Sequence, residues 1–207
     1  MEDLDSILSL ERWLDGDYCS RTGTGSGRLH GRDLISFAIA KLEKSFGPVL
    51  EIECRWNRPS SGLVSIAVGK HPHSSFCGTC STTAGELQFH AVCSEGQAQP
   101  VRRVDAVTRV PCKVSTAAAV HLLCSADNLA VCVAMRGHCT NINEKSMYVH
   151  EAHRFDCAKA FLGIGEVPVA EIVGERIFKE RTFLTVRCRR NQIETSYLVS
   201  YAKISAP

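Results

Sequence analysis

The spacing of apolar positions changes several times along the chain, and each change marks an element. Leu4, Ile7, Leu8, Trp13 and Leu14 recur at helical spacing over 3–15, with Asp3 or Asp5 as cap and Gly16 as stop. The glycine-rich stretch RTGTGSGRLHG (21–31) follows. Leu34, Ile35, Phe37, Ala38, Ile39 and Leu42 then form a broad apolar side, predicting a helix over 32–45 that Phe46-Gly47-Pro48 stops. After it the period falls to two. Leu50, Ile52, Cys54 and Trp56 alternate with Glu51, Glu53 and Arg55, as in a half-buried strand. Val64, Ile66 and Val68 repeat the pattern beyond the turn sequence NRPSSG (57–62). A polar break, SEGQAQPVR (94–102), and a strand near 103–110 close the first half.

The second half opens on STAAAVHLLC (115–124), read as a helix capped by Ser115. NLAVCVAM (128–135) is almost continuously apolar, as a strand buried on both faces would be. SMYVHEAHRFDCAKAFLG (146–163) reads as a helix ending at Gly163, with strand-like sequence from there to the C-terminus. A two-residue turn at Asn191-Gln192 would set Leu184, Val186 and Cys188 opposite Val199, Tyr197 and Thr195, and Arg189 opposite Glu194. GPVLEI (47–52) is echoed by VPVAEI (167–172), each after an expected helix. The expected architecture is therefore α+β: two similar helix-plus-antiparallel-sheet units packed together. Residues 1–31 form an N-terminal helix and linker, 32–98 the first unit and 103–207 the second.

Composition narrows the classes. A chain of 207 residues, 44% hydrophobic and 22% charged, can bury a substantial core. A net charge of +2 gives no general attraction to nucleic acid. Eleven cysteines without a signal-peptide pattern at the N-terminus indicate an intracellular, reducing compartment, cytoplasm or nucleus, with thiols used as small buried hydrophobes. No membrane association is expected, because no run approaches the ~18 apolar residues of a spanning helix.

Three clusters could carry chemistry. Cys77-x2-Cys80 and His90-x2-Cys93 have the ligand types and spacing of a closed, structural zinc site, although in regular strands residues three apart point to opposite faces. His150, His153 and Cys157 would share one face of a helix over 146–163, with Asp156 beside them; HEAH is two residues too short for a zincin motif. Arg181, Arg187, Arg189 and Arg190 make the last hairpin basic, a surface for an acidic partner or a phosphate. GTGSGR (23–28) follows no strand and opens no helix directly, so it reads as linker.

The leading functional expectation is a non-catalytic protein–protein interaction or scaffold module with a protein partner and no cofactor. The order helix then antiparallel strands, occurring twice, together with RLHG (28–31) before the first helix, resembles the double-hotdog fold. That resemblance implies the alternative, an enzyme acting on acyl thioesters (thioesterase or dehydratase). It makes His30 or Asp156 the first acid/base candidates, with Asp33 and Glu43 the acids the first helix offers. A zinc-stabilised nucleic-acid-binding domain is the third expectation.

Overall fold

The computed structural model describes residues 28–29, 31–56, 60–61, 64–71, 75–82, 85–95, 101–104, 111–138, 147–160, 165–178 and 181–203. The expected helix over 3–15, the glycine-rich linker up to residue 27 and His30 lie outside them. Helix α1 (Gly31–Phe46) is followed by strands β1 (Val49–Trp56), β2 (Val64–His71), β3 (Ser75–Thr82) and β4 (Glu86–Cys93). Helix α2 (Thr116–His138) is followed by β5 (Met147–Asp156), a short helix α3 (Cys157–Ala160), β6 (Val169–Phe178), β7 (Arg181–Arg190) and β8 (Ile193–Lys203). These eight strands join one antiparallel sheet in the order β6-β7-β8-β5-β1-β4-β3-β2, and outside it the described residues add two short pairs, Arg28–Leu29 with Ser60–Ser61 and Val101–Val104 with Pro111–Val114. Each helix is thus followed by four strands ordered first-fourth-third-second, and the two units meet where β1 pairs with β5. The expected pair of similar helix-plus-sheet units is present.

The helices sit on one face of this sheet and touch each other. Ser36 on α1 donates to the carbonyl of Ala117 at 3.1 Å, an approach that the small Ala117, Ala118 and Ala119 permit. Ser115 caps α2 as expected, accepting from the Ala118 N–H at 3.1 Å. The core divides in two. Leu34, Ile35, Leu42, Ile52, Leu87, Phe155 and the first turns of α2 form the larger part. Val131, Met135, Leu184, Val186, Cys188 and Leu198 form the smaller. On α2 the residues between them include Asp127.

Two expectations change. Residues 128–135 are not a strand but the second half of α2, a single helix of 23 residues. A continuous apolar run cannot distinguish a buried helix from a buried strand, and here the helix begun at Thr116 simply continues. By length and composition α2 could cross a bilayer, yet it lies on the sheet with its Asp127 buried. Residues 147–156 are strand β5, not helix: His153, Phe155 and Cys157 point into the core while Ala152, Arg154 and Asp156 face outward. That alternation of period two overrides the i, i+3, i+7 spacing of His150, His153 and Cys157. The second unit's helix is therefore α2, and VPVAEI in β6 is not the structural counterpart of GPVLEI in β1.

Gly78 shows how tightly β3 is packed. A Cβ there would collide with the Ala67 carbonyl oxygen and the Phe89 ring that covers it. Backbone cannot step aside as a flexible side chain can. Gly78→Ala is expected to destabilise the fold by about 1–3 kcal/mol, read as a lowered Tm in thermal unfolding; an unchanged Tm would contradict this packing.

Candidate active site

The last hairpin builds half of the site. Asn191 (φ 49°) and Gln192 (φ 66°) both adopt the left-handed conformation of a type I′ turn. Arg189 faces Glu194 as expected. Beyond that pair a bulge shifts the register by one residue, so Cys188, Val186 and Leu184 face Ser196, Leu198 and Ser200. Two consecutive residues, Thr195 and Ser196, are then both buried. A bulge re-aims side chains in this way at many functional sites. The partners expected for an unbulged hairpin, Tyr197 and Val199, lie opposite Arg187 and Thr185 on the other face.

Helix α2 supplies the other half. Asp127 is fully buried, its Oδ1 2.5 Å from Nη2 of the equally buried Arg190. Ser196 Oγ donates to its Oδ2 at 2.5 Å. Arg190 also donates to Thr195 Oγ1 at 2.8 Å and to the Leu123 carbonyl at 3.4 Å. His153, 1% exposed, places Nε2 3.9 Å from Asp127 Oδ2 and Nδ1 3.6 Å from Cys124 Sγ. The His153 ring lies 3.9 Å from that of Phe155. Among the described residues, Asn128 Oδ1 and Arg190 Nε are buried without a hydrogen-bond partner. Spare polar capacity beside a buried carboxylate is the exception in a folded core.

Burial raises the pKa of Asp127 above the ordinary aspartate value, while Arg190 and the Ser196 hydroxyl pull the other way. Burial likewise pushes the Cys188 thiol up to about 12, with Asp127 adding to the effect. Cys124 is raised still further by burial, so it is held as a thiol. A polar contact also joins the two helices one turn earlier. His121 Nε2 lies 2.9 Å from Asp33 Oδ1, and Arg32 donates to Ser125 Oγ at 2.8 Å.

Along the flank of α2 runs an open apolar groove of about 850 Å³, lined by Leu123, Ala126, Leu129, Val133, Val167 and Pro168 among others. Leu129, Val133 and Val167 are 69%, 64% and 84% exposed. Leu123 and Ala126 belong to the helical turn that carries Asp127.

The residues singled out in the sequence fare differently. Cys77 pairs with His90, not with Cys93, and Cys80 pairs with Leu87. Leu87, Phe89, Ala91 and Cys93 fill the core side of β4, and that burial fixes the register. Cys80 and Cys93 are buried while His90 is exposed on the other face. The four do not converge, and among the described residues no group of three or more His, Cys, Asp or Glu is arranged to hold a metal ion. The zinc site is not supported. The basic hairpin is largely neutralised. Arg187 pairs with Glu171 at 2.7 Å and with Glu194 at 3.7 Å, and Arg189 with Glu171 at 3.7 Å. Arg181 is exposed, whereas Arg190 points inward to Asp127. Asp156 caps α3 through the Lys159 N–H at 3.1 Å and pairs with the Lys159 ammonium at 2.6 Å. It is a surface cap rather than a buried acid. Asp127, Thr195 and Ser196 carried no sequence signal: the first lay in the link between an expected helix and an expected strand, the others in an expected regular hairpin.

Comparison with solved structures defines the fold. Over 96% of this chain and 99% of the other, the structure is similar to the tesB protein of Mycobacterium avium subsp. paratuberculosis, with TM-score 0.50 and 7% identity. It is similar over 96% and 98% to an acyl-CoA thioesterase II from Mycobacterium marinum, with TM-score 0.51 and 8% identity. No protein-family model matches the sequence. No curated protein matches it either. The fold is α+β and double-hotdog-like, two helix-plus-antiparallel-sheet units in one chain. The expectation of a non-catalytic interaction or scaffold module is overturned. Chain-long likeness is to the structures of a tesB protein and an acyl-CoA thioesterase II, and the second unit buries an Asp–Arg–His cluster.

Proposed function

We propose that this protein is an enzyme acting on acyl thioesters, hydrolysis being its reaction. The carrying observation is Asp127: a carboxylate raised by burial, gripped by Arg190 and Ser196, beside His153, on the helix whose flank lines a groove suited to a hydrocarbon chain. In this reading the acyl chain lies in the apolar groove and gains the burial its tail seeks. Asp127 orients a water and accepts its proton as the oxygen attacks the thioester carbonyl. Ser196 and Arg190 hold the carboxylate in place. His153 lies close enough to the same oxygen to pass a proton to the departing thiolate. The chain-long likeness to an acyl-CoA thioesterase structure supports the substrate class. A reducing compartment, cytoplasm or nucleus, suits the eight cysteines whose side chains are described, all of them free. The test is steady-state hydrolysis of an acyl-CoA panel of increasing chain length, followed by thiol release. Saturable turnover that improves with chain length is the expected outcome. No turnover with any chain length would overturn the reading.

A further inference from the structure

The outer face of the sheet, away from the helices, carries a second cluster. One row of directly paired residues crosses all eight strands: Glu171, Arg187, Tyr197, Arg154, Glu53, His90, Cys77 and Gly69. At one end of it a thiol, an imidazole and a carboxylate stand side by side on three adjacent strands. Directly opposed residues have their Cβ atoms about 4.5–5.5 Å apart, so a rotamer change brings thiol and imidazole together. Cys77, His90 and Glu53 also line one open concavity of about 770 Å³, with Arg55, Thr79 and Gln88. Of the eight cysteines whose side chains are described, six are buried and only Cys77 and Cys132 are partly exposed. Gly69, across from Cys77 on β2, leaves the thiol without a side chain on that flank.

From this juxtaposition we propose that Cys77, with His90 as its base, is a second nucleophilic site that takes up acyl groups from thioesters. The substrate class rests on the reading of the previous subsection; the reactivity of the thiol does not. His90 accepts the Cys77 proton, and the sulfur attacks the thioester carbonyl carbon. A carbon–sulfur bond to Cys77 forms as the one to the leaving thiol breaks, and the imidazolium returns the proton to the leaving thiolate. Nothing is oxidised or reduced. Glu53 is paired with His90 on the far side from Cys77, and Arg55 donates to its Oε1 at 3.0 Å. Besides Cys77, the charged and titratable groups lining that concavity are His90, Glu53 and Arg55.

Iodoacetamide labelling mapped by peptide mass tests the thiol without any acyl-CoA. Cys77 is expected to label before the other cysteines whose side chains are described. His90→Ala is expected to slow labelling at pH 7 by about tenfold or more. Labelling of Cys77 at the rate of the urea-unfolded chain, or indifference to His90→Ala, would overturn the proposal. Intact-mass analysis after acyl-CoA exposure should show one acyl adduct that maps to Cys77 and vanishes in Cys77→Ser. Fast alkylation without an adduct removes the acyl-transfer role. An adduct on Cys77 in a protein that never hydrolyses thioesters leaves this site standing and sinks the Asp127 reading instead.

Discussion

Arg190→Ala is expected to destabilise the protein by about 3–5 kcal/mol, because it strands a buried carboxylate without its counter-charge. The guanidinium is fully buried and meets three groups: Asp127, Thr195 and the Leu123 carbonyl. For a chain of 207 residues the loss corresponds to a Tm lower by about 6–20 °C. The penalty carries a definite pH dependence. Asp127 already has a folded-state pKa raised by burial, and removing the opposing Arg190 raises it further. A carboxyl raised in the folded state binds its proton more tightly there than in the unfolded chain. Stability of the variant is therefore greatest at low pH and falls as pH rises above the ordinary aspartate value. Thermal melts of wild type and Arg190→Ala between pH 5 and 8 should diverge as pH increases. The double change Asp127→Leu with Arg190→Leu should recover most of the loss, since removing both charges costs far less than removing one. Equal melting of wild type and Arg190→Ala would mean that the pair is hydrated and that the site is not as described.

Asp127→Asn is expected to lower kcat for acyl-CoA hydrolysis by about 100-fold or more, the usual contribution of a general base. Asparagine keeps the shape and can still accept from Ser196, but it cannot take a proton. Arg190 loses its counter-charge in this variant as well, so rates must be compared well below its Tm. On the proposed mechanism, wild-type activity requires the ionised carboxylate and is lost as pH falls through the raised pKa of Asp127. The acidic limb of the rate profile should accordingly lie above the ordinary aspartate value of about 4. Retention of a third or more of kcat in the variant, or an acidic limb at 4 or below, would remove Asp127 from the chemistry.

The charges on the outer sheet face are a different case. Glu51 with Arg154 at 2.6 Å and Glu171 with Arg187 at 2.7 Å are well-formed pairs on half-exposed side chains. The neighbouring carboxylate raises Arg154 and Arg187, and Glu171 is lowered by its hydrogen bond from Arg187. Water screens such pairs, so each contributes little to stability. They fix cross-strand register instead, and they convert what looked like a basic hairpin into a balanced surface.

How much the chain announces by itself can be judged residue by residue. The apolar side of α1 and the alternation in β4 were legible because one face of each is buried, and a half-buried element must repeat with its own period. The Asn191-Gln192 turn was legible because apolar and charged residues matched across it. Leu50 was assigned to the core, yet a register shift between Val49 and Glu51 leaves it 41% exposed and buries Val49 instead. Segment 128–135 reads as a strand because an apolar run buried in a large core has no period to give, and within 146–163 the alternation of His153, Phe155 and Cys157 is too short to stand out until the core selects it.

The sequence alone determined a helix-plus-sheet architecture, its approximate duplication, and thiols that are mostly packing groups. Tertiary structure decided the rest. It joined two segments into α2, chose the register that parted Cys77 and His90 from Cys80 and Cys93, and placed one bulge at Thr195. The reason is distance: Cys124, Asp127, His153, Arg190 and Ser196 come from three separate stretches of chain. Only the packing of α2 on β5, β7 and β8 makes them neighbours.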